Sequence, residues 1–243
     1  MCAQSKRTLQ NRITIITGPT GGLGRVVTKE FAEEGARLAL FDRSAQKLKD
    51  LVRDLEISEE QYLLRATDLT DSTAVEEAAK EVIGKFGKAE ILIHLVGGFT
   101  GGKRVVETAE EDVSMMLRQH LWTTFHLVQG FVPLMVANGW GRVIVISSPA
   151  ALSPRGGNAA YAVGKAAEEV LTLSLAQELR NTDVTANVLL VRRIDVKHER
   201  DRNPTPENAS WTTPEEIAAA VRYICSEEAR VINGARIPLY KGS

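Results

Sequence analysis

Tyr161 and Lys165 stand four positions apart in Tyr-Ala-Val-Gly-Lys. On a helix that spacing puts both side chains on one face. A free phenol loses its proton only near pH ~10, too high for exchange at neutrality, but a neighbouring ammonium stabilises the phenolate. The pair therefore suits general acid–base work: taking a proton from an alcohol or giving one to a carbonyl. The spacing alone is common and carries little. Ser148 strengthens it, thirteen positions before Tyr161 and just past the strand-like run Val143–Ser147. Ser147 stands beside it, and one of the two serines only caps the strand end.

A second group of residues suits an anion. The run Ile13–Thr17 leads into Gly18-Pro19-Thr20-Gly21-Gly22-Leu23-Gly24, and a helical pattern follows. Glycines let the backbone turn sharply and let a pyrophosphate approach the N–H groups at a helix start. Asp42 ends the second apolar run. A carboxylate there accepts hydrogen bonds from the ribose hydroxyls of an adenosine and repels a 2′-phosphate; the plainer alternative is a neighbour of a helix N-cap.

These residues need elements to position them. Short apolar runs occur at Ile13–Thr17, Arg37–Asp42, Gln61–Thr67, Glu90–Val96, Arg142–Ser147, Val184–Leu190 and Ala235–Leu239. Amphipathic helical patterns lie between them at 22–35, 44–55, 71–86, 107–138, 158–180 and 214–226. Asp71 and Thr213 suit helix N-caps, and Pro214 suits a first helical position. Continuous apolar strands alternating with helices imply an α/β fold, a parallel sheet covered on both faces. The reading is a flexible N-terminal tail over 1–11 and one domain over 12–243. The irregular, charged segment Arg192–Trp211 follows the sixth strand at its carboxyl end, where ligands bind in such sheets. It is either a short substrate lid or a solvated loop.

Thr-Gly-x-x-x-Gly-x-Gly, with Gly18, Gly22 and Gly24, resembles the cofactor motif of short-chain dehydrogenases/reductases, and the resemblance runs from about Arg12 to the C-terminus. It implies a Rossmann-type, doubly wound, seven-stranded parallel sheet. It implies cofactor contacts from Thr17, Gly18, Thr20, Gly22, Leu23, Gly24, Asp42, Arg43, Asp68, Leu69, Val96, Gly97, Val191 and Ile194, with Asp68 and Leu69 at the adenine. Ser148 then orients the substrate oxygen, Tyr161 is the acid/base, and Lys165 also holds the nicotinamide ribose. An oxidised nicotinamide would add to the stabilisation of the phenolate. NADP-preferring members often carry a basic residue before the motif's second glycine, where this chain has Gly21. With Asp42 this favours NAD, while Arg43 keeps NADP open. Assembly as a homo-oligomer, a tetramer or dimer, is implied through the helices matching 107–138 and 158–180.

The chain also departs from the pattern. His94-Leu95-Val96-Gly97 stands where the family has Asn-Asn-Ala-Gly, and His94 reads as a hydrogen-bonded core histidine. His120 matches the asparagine that completes the family's catalytic tetrad. It either preserves the main-chain geometry that holds a relay water, or relays protons through its own ring, or is inert packing. Asn187-Val-Leu-Leu-Val191-Arg192 lacks the usual Pro-Gly, Val196 replaces a threonine, and Asn233-Gly234 replaces Thr-Gly.

Length and composition set outer bounds. The 243 residues, 44% hydrophobic, suffice for one α/β domain, and a net charge of -1 offers no basic surface for nucleic acid. No apolar run reaches the ~20 residues of a transmembrane helix, and the first twelve residues lack the apolar core of a secretory signal. Cys2 and Cys225 form no metal framework. A cytoplasmic enzyme without a metal is expected, acting on a small alcohol or carbonyl. Lys103, Arg104, Arg155, Arg192, Arg193 and Lys197 lie near the active-site end and could attract an anion, but Asp195, Glu199 and Asp201 are interspersed. Phe99 is a candidate substrate contact or an ordinary hydrophobic anchor. Three readings follow: an oxidoreductase for secondary alcohols and ketones, a 3-oxoacyl-type reductase, or a non-catalytic dinucleotide-binding sensor or assembly subunit.

Overall fold

The computed structural model describes residues 9–241, so residues 1–8 of the expected tail, with Cys2, lie outside the described residues. Seven strands form one parallel sheet: β1 (Ile13–Thr17), β2 (Arg37–Asp42), β3 (Tyr62–Ala66), β4 (Ile91–His94), β5 (Gly141–Ser147), β6 (Val184–Leu190) and β7 (Arg236–Pro238). Their order is β3-β2-β1-β4-β5-β6-β7. The chain winds outward from β1 to β3, then returns to place β4 on the other side of β1. The carboxyl ends of β1 and β4 therefore flank the topological switch point, where such sheets bind ligands.

Both faces of the sheet are apolar because both are covered. Helices α1 (Gly22–Glu33), α2 (Ala45–Asp54) and α8 (Pro214–Ile224) enclose one core around Val27, Phe31, Leu51, Ile93 and Ile217. Helices α3 (Ser72–Phe86), α5 (Thr123–Ala137) and α6 (Ala159–Glu178) enclose the other around Phe41, Val82, Leu127 and Phe131. Capping fits the sequence expectation: the Asp71 carboxylate accepts from Thr73 N–H, and Thr213 and Glu216 form a reciprocal capping box around Pro214.

Two element boundaries differ from the expectation for physical reasons. Strand β4 stops at His94 rather than Val96, because the chain leaves the ladder where the Leu95 N–H bonds the Thr17 carbonyl and hydroxyl. The pattern at 107–138 is not one regular helix. Val105–Glu107 is a separate 3₁₀ turn, α4 spans Glu110–Leu117, and a π-helical turn over Arg118–Trp122 leads into α5. The hydroxyls of Thr123 and Thr124 donate to the carbonyls of Gln119 and His120 at 2.8 and 2.7 Å. Such back-bonding competes with the helical ladder and bends it, and π turns recur at functional sites.

The segment after β6 is organised by its own charges. A short helix α7 (Glu199–Arg202) forms after Asp195, whose carboxylate accepts from the N–H groups of Glu199 and Arg200 at 2.9 and 2.8 Å. Arg200 then pairs with Glu216 at the start of α8. Val196 packs onto the glycine turn: a Cβ built on Gly22 would lie 2.7 Å from Val196 Cγ2.

Candidate active site

The glycine turn follows β1 as the spacing requires. Gly18 has φ +69°, and a Cβ on Gly24 would lie 2.1 Å from the Gly18 carbonyl oxygen. No side chain caps α1 at Gly21, so the first N–H groups of that helix face outward as an anion site needs. A cavity of about 340 Å³ beside the turn is lined by Gly18, Thr20, Asp42, Arg43, Asp68, Leu69, Val96 and Gly97. Asp42 accepts from the Thr20 hydroxyl at 2.6 Å and from Ser44 N–H at 3.3 Å. The Asp68 carboxyl is held below the ordinary carboxylate range by the Thr70 N–H and hydroxyl. Lys47 also lines this cavity, a second cation near Asp42 that the sequence analysis did not single out. Thr17 lines none of the site. It lies buried under the turn, with its hydroxyl 2.7 Å from His94 Nδ1.

A second cavity, about 360 Å³, continues from the first along Gly18, Gly21, Val96 and Gly97. It adds Gly22, Leu23, Gly24, His120, Tyr161, Lys165, Val191, Arg192 and Ile194. A third, about 450 Å³, lies on the far side of Tyr161 and is lined by Ser148, Phe99, Arg155, Arg192 and Tyr240 among others. Tyr161 and Arg192 border both the second and third cavities. The two serines take separate roles. Ser147 commits its hydroxyl to Glu169 at 2.6 Å, whereas Ser148 opens into the cavity beside Tyr161, its oxygen accepting from Ala150 N–H at 3.2 Å. The Phe99 ring lies edge-on to Tyr161 at 5.1 Å, and the His120 ring likewise at 5.8 Å.

Lys165 is buried, and its ammonium donates to the Ile146 carbonyl and to Glu168 Oε2, each at 2.7 Å. Glu168 is wholly buried, and its other oxygen lies 3.3 Å from the Thr124 hydroxyl. Burial pushes this carboxyl up to about 7 against the opposing pull of Lys165. The sequence reading missed Glu168. Its signal was Glu168-Glu169 in an otherwise apolar helix stretch, one turn beyond Lys165.

His120 sits at the site but with its own chemistry. Its Nε2 lies 3.1 Å from the Gly98 carbonyl. A carbonyl only accepts, so that nitrogen carries the hydrogen and Nδ1 is left as an acceptor. Nδ1 is buried without a hydrogen-bond partner. Burial, followed by the Lys165 cation, pushes His120 down to about 3. The His120 backbone carbonyl is engaged by Thr124. His94, also pushed down to about 3 by burial first, bridges the hydroxyls of Thr17 and Thr123, as a hydrogen-bonded core histidine would.

The cradle thus fits a dinucleotide on three observations: the close Gly18–Gly24 approach, an uncapped helix start, and an acidic residue closing β2. Among the described residues no cluster of side chains could hold a metal ion, and no helix is long and apolar enough to cross a membrane.

Comparison with known proteins agrees with this geometry. The short chain dehydrogenase family model matches residues 12–207. A 3-oxoacyl-[acyl-carrier-protein] reductase of Thermotoga maritima is 26% identical, with 96% of this chain and 98% of that protein aligned. A (2S)-[(R)-hydroxy(phenyl)methyl]succinyl-CoA dehydrogenase subunit of Thauera aromatica is 28% identical, over 93% of this chain and 94% of the relative. A solved short-chain dehydrogenase/reductase of Serratia marcescens superposes with a TM-score of 0.83 at 28% identity, covering 96% of this chain and 97% of that one.

Proposed function

The chain belongs to the short-chain dehydrogenase/reductase family of NAD(P)-binding oxidoreductases, and from that premise we propose that it interconverts a secondary alcohol and a ketone, with Tyr161 as acid/base and NAD as the preferred nucleotide. The observation that carries this reading is the position of Tyr161, bordering both the cavity that continues from the glycine turn and the cavity that holds Ser148. A nicotinamide bound along the second cavity, which Tyr161 borders, would supply or accept the hydride. Ser148 donates to the substrate oxygen and fixes its place. Tyr161 gives that oxygen a proton in reduction and takes it in oxidation, and the Lys165 ammonium stabilises the phenolate side of the exchange. Asp42 receives the ribose hydroxyls, which favours NAD; Arg43 and Lys47 beside it are the groups an NADP phosphate would use.

The test is an NADH and NADPH titration followed by an alcohol and carbonyl panel. Tight NADH binding and turnover that falls ~10²- to 10⁴-fold in Tyr161→Phe are expected, the range for removing a general acid–base group. One observation favours the non-catalytic sensor instead: both Lys165 contacts lead away from Tyr161, to Ile146 and Glu168. NADH binding without turnover of any panel member, in wild type and Tyr161→Phe alike, would select that reading. The similarity to the Thermotoga maritima reductase supports the 3-oxoacyl reading, which a strong NADPH preference and turnover of carrier thioesters would select.

A further inference from the structure

The six basic residues around the active-site end do not share one fate. Lys103 is paired with Asp112 at 2.9 Å. The Arg193 guanidinium lies 3.9 Å above the Trp211 ring. Arg104 and Lys197 are exposed and line none of the three cavities of the site. Arg155 and Arg192 line the cavity that Ser148 and Tyr161 open into, and no residue lining that cavity is a carboxylate.

The acids that flank Arg192 in sequence are engaged elsewhere. Asp195 holds the N–H groups at the start of α7, Asp201 pairs with Arg200, and Glu199 accepts from Asn203. The half-buried Arg192 guanidinium instead lies 4.9 Å over the Tyr240 ring and 3.4 Å from Ser210 Oγ. No ion pair forms to it or to the exposed Arg155 among the described residues. A planar guanidinium fork held by a ring and aimed into a cavity without carboxylates is the arrangement that takes a carboxylate bidentately.

We propose that Arg192, assisted by Arg155, is an anion subsite for the substrate's own carboxylate, so that the substrate is a small hydroxy acid or oxo acid whose reacting carbon lies at Ser148 and Tyr161. This rests on the function proposed above and narrows it to a substrate class. Phe99 and Tyr240 supply the apolar walls, and a cavity of about 450 Å³ suits a compact acid. Arg192 also borders the cofactor cavity, which joins the anion site to the place of hydride exchange.

The experiment compares matched 2- and 3-oxo acids with their methyl esters, and with phosphopantetheine thioesters of the same acyl groups, by NADH oxidation. The acids should exceed the esters by ~10- to 100-fold in kcat/KM, the range of a charge-assisted contact. Arg192→Gln should bring that ratio near one, chiefly through KM, while Arg155→Gln lowers it less and Arg192→Lys keeps part of it. A second arm measures thermal unfolding of the NADH-mixed protein with each hydroxy acid or its ester. Only the acids should raise Tm, and Arg192→Gln should abolish that rise. Acids that raise Tm but are never turned over would uphold the subsite and overturn the proposed reaction. Equal handling of acid and ester in both arms overturns the subsite and leaves the reaction standing. Two further results also overturn the subsite: preference for the thioesters over the free acids, and an Arg192→Gln variant that weakens NADH while keeping the acid-to-ester ratio.

Discussion

Glu168 shows how a single buried group writes itself into pH behaviour. Its carboxyl is pushed up to about 7 from an ordinary 4.5, so the fold favours its protonated form. The sign follows: its favourable contribution is complete below about pH 4.5 and is lost as pH rises through about 7. His94 and His120, pushed down to about 3, act oppositely and lower stability as pH falls below their ordinary value of 6.5. Comparing Glu168→Gln with wild type removes that shared background. Between pH 5 and 8 the variant should gain stability relative to wild type, by at most about 3 kcal/mol, measured by thermal unfolding. A difference independent of pH would show that Glu168 stays ionised throughout. At the other end of the site, Asp42→Ala should weaken NAD about tenfold or more, as loss of charged hydrogen bonds does, and relax exclusion of NADP. Calorimetric titration with unchanged selectivity would remove Asp42 from the cofactor assignment.

The elements that carry these residues are held at unusual closeness. Gly164 lies inside α6, one residue before Lys165, where a glycine costs helix stability. A Cβ there would lie 2.9 Å from the Met116 carbonyl oxygen and 3.0 Å from His120 Cδ2. The glycine therefore lets α6 meet α4 and the π-helical turn, which keeps His120 beside Tyr161 and Lys165. Gly164→Val should cost ~1–3 kcal/mol through overpacking and lower turnover more than Gly164→Ala. Denaturant unfolding reads the first effect and initial rates the second. A valine variant as stable and active as wild type would show that the two helices can part without disturbing the site.

At the scale of the whole molecule, the faces that α5 and α6 turn away from the sheet are not uniformly polar. Val163 and Val170, seven residues apart on α6, are 46% and 65% exposed, and Trp122 just before α5 is 46% exposed. Seven residues is two helical turns, so the valines share a face. Homo-oligomer formation through these helices is accordingly proposed, as the family resemblance implies. Sedimentation at micromolar concentration should show a dimer or tetramer, and Val170→Glu should shift it toward monomer without altering the circular dichroism. A wild-type monomer across that range would contradict the proposal.

Much of this architecture is legible along the chain because it depends on local regularities. Alternating apolar runs and helical patterns specify a parallel sheet covered on both faces. Gly18, Gly22 and Gly24 specify a tight turn, and the Tyr161–Lys165 spacing specifies one helical face. Those are properties of neighbours in sequence, and seven strands with their helices follow from them. Partner choice across elements is different. Ser147 and Ser148 are adjacent and chemically alike, yet only packing of β5 against α6 gives one to Glu169 and leaves the other in the cavity. Arg192 and Arg193 are likewise adjacent, and the path of the chain after β6 decides which stacks on Trp211 and which lines the cavity that holds Ser148. The Lys165–Glu168 pair is within reach on any helix, but its meaning comes from burial, which no spacing discloses. Local periodicity made Tyr161 and Lys165 readable as neighbours on one helical face, and Ser148 with the glycine turn gave the pair its proposed acid–base reading; what surrounds their charges was decided by the tertiary structure, because desolvation and partner geometry are set by distant segments.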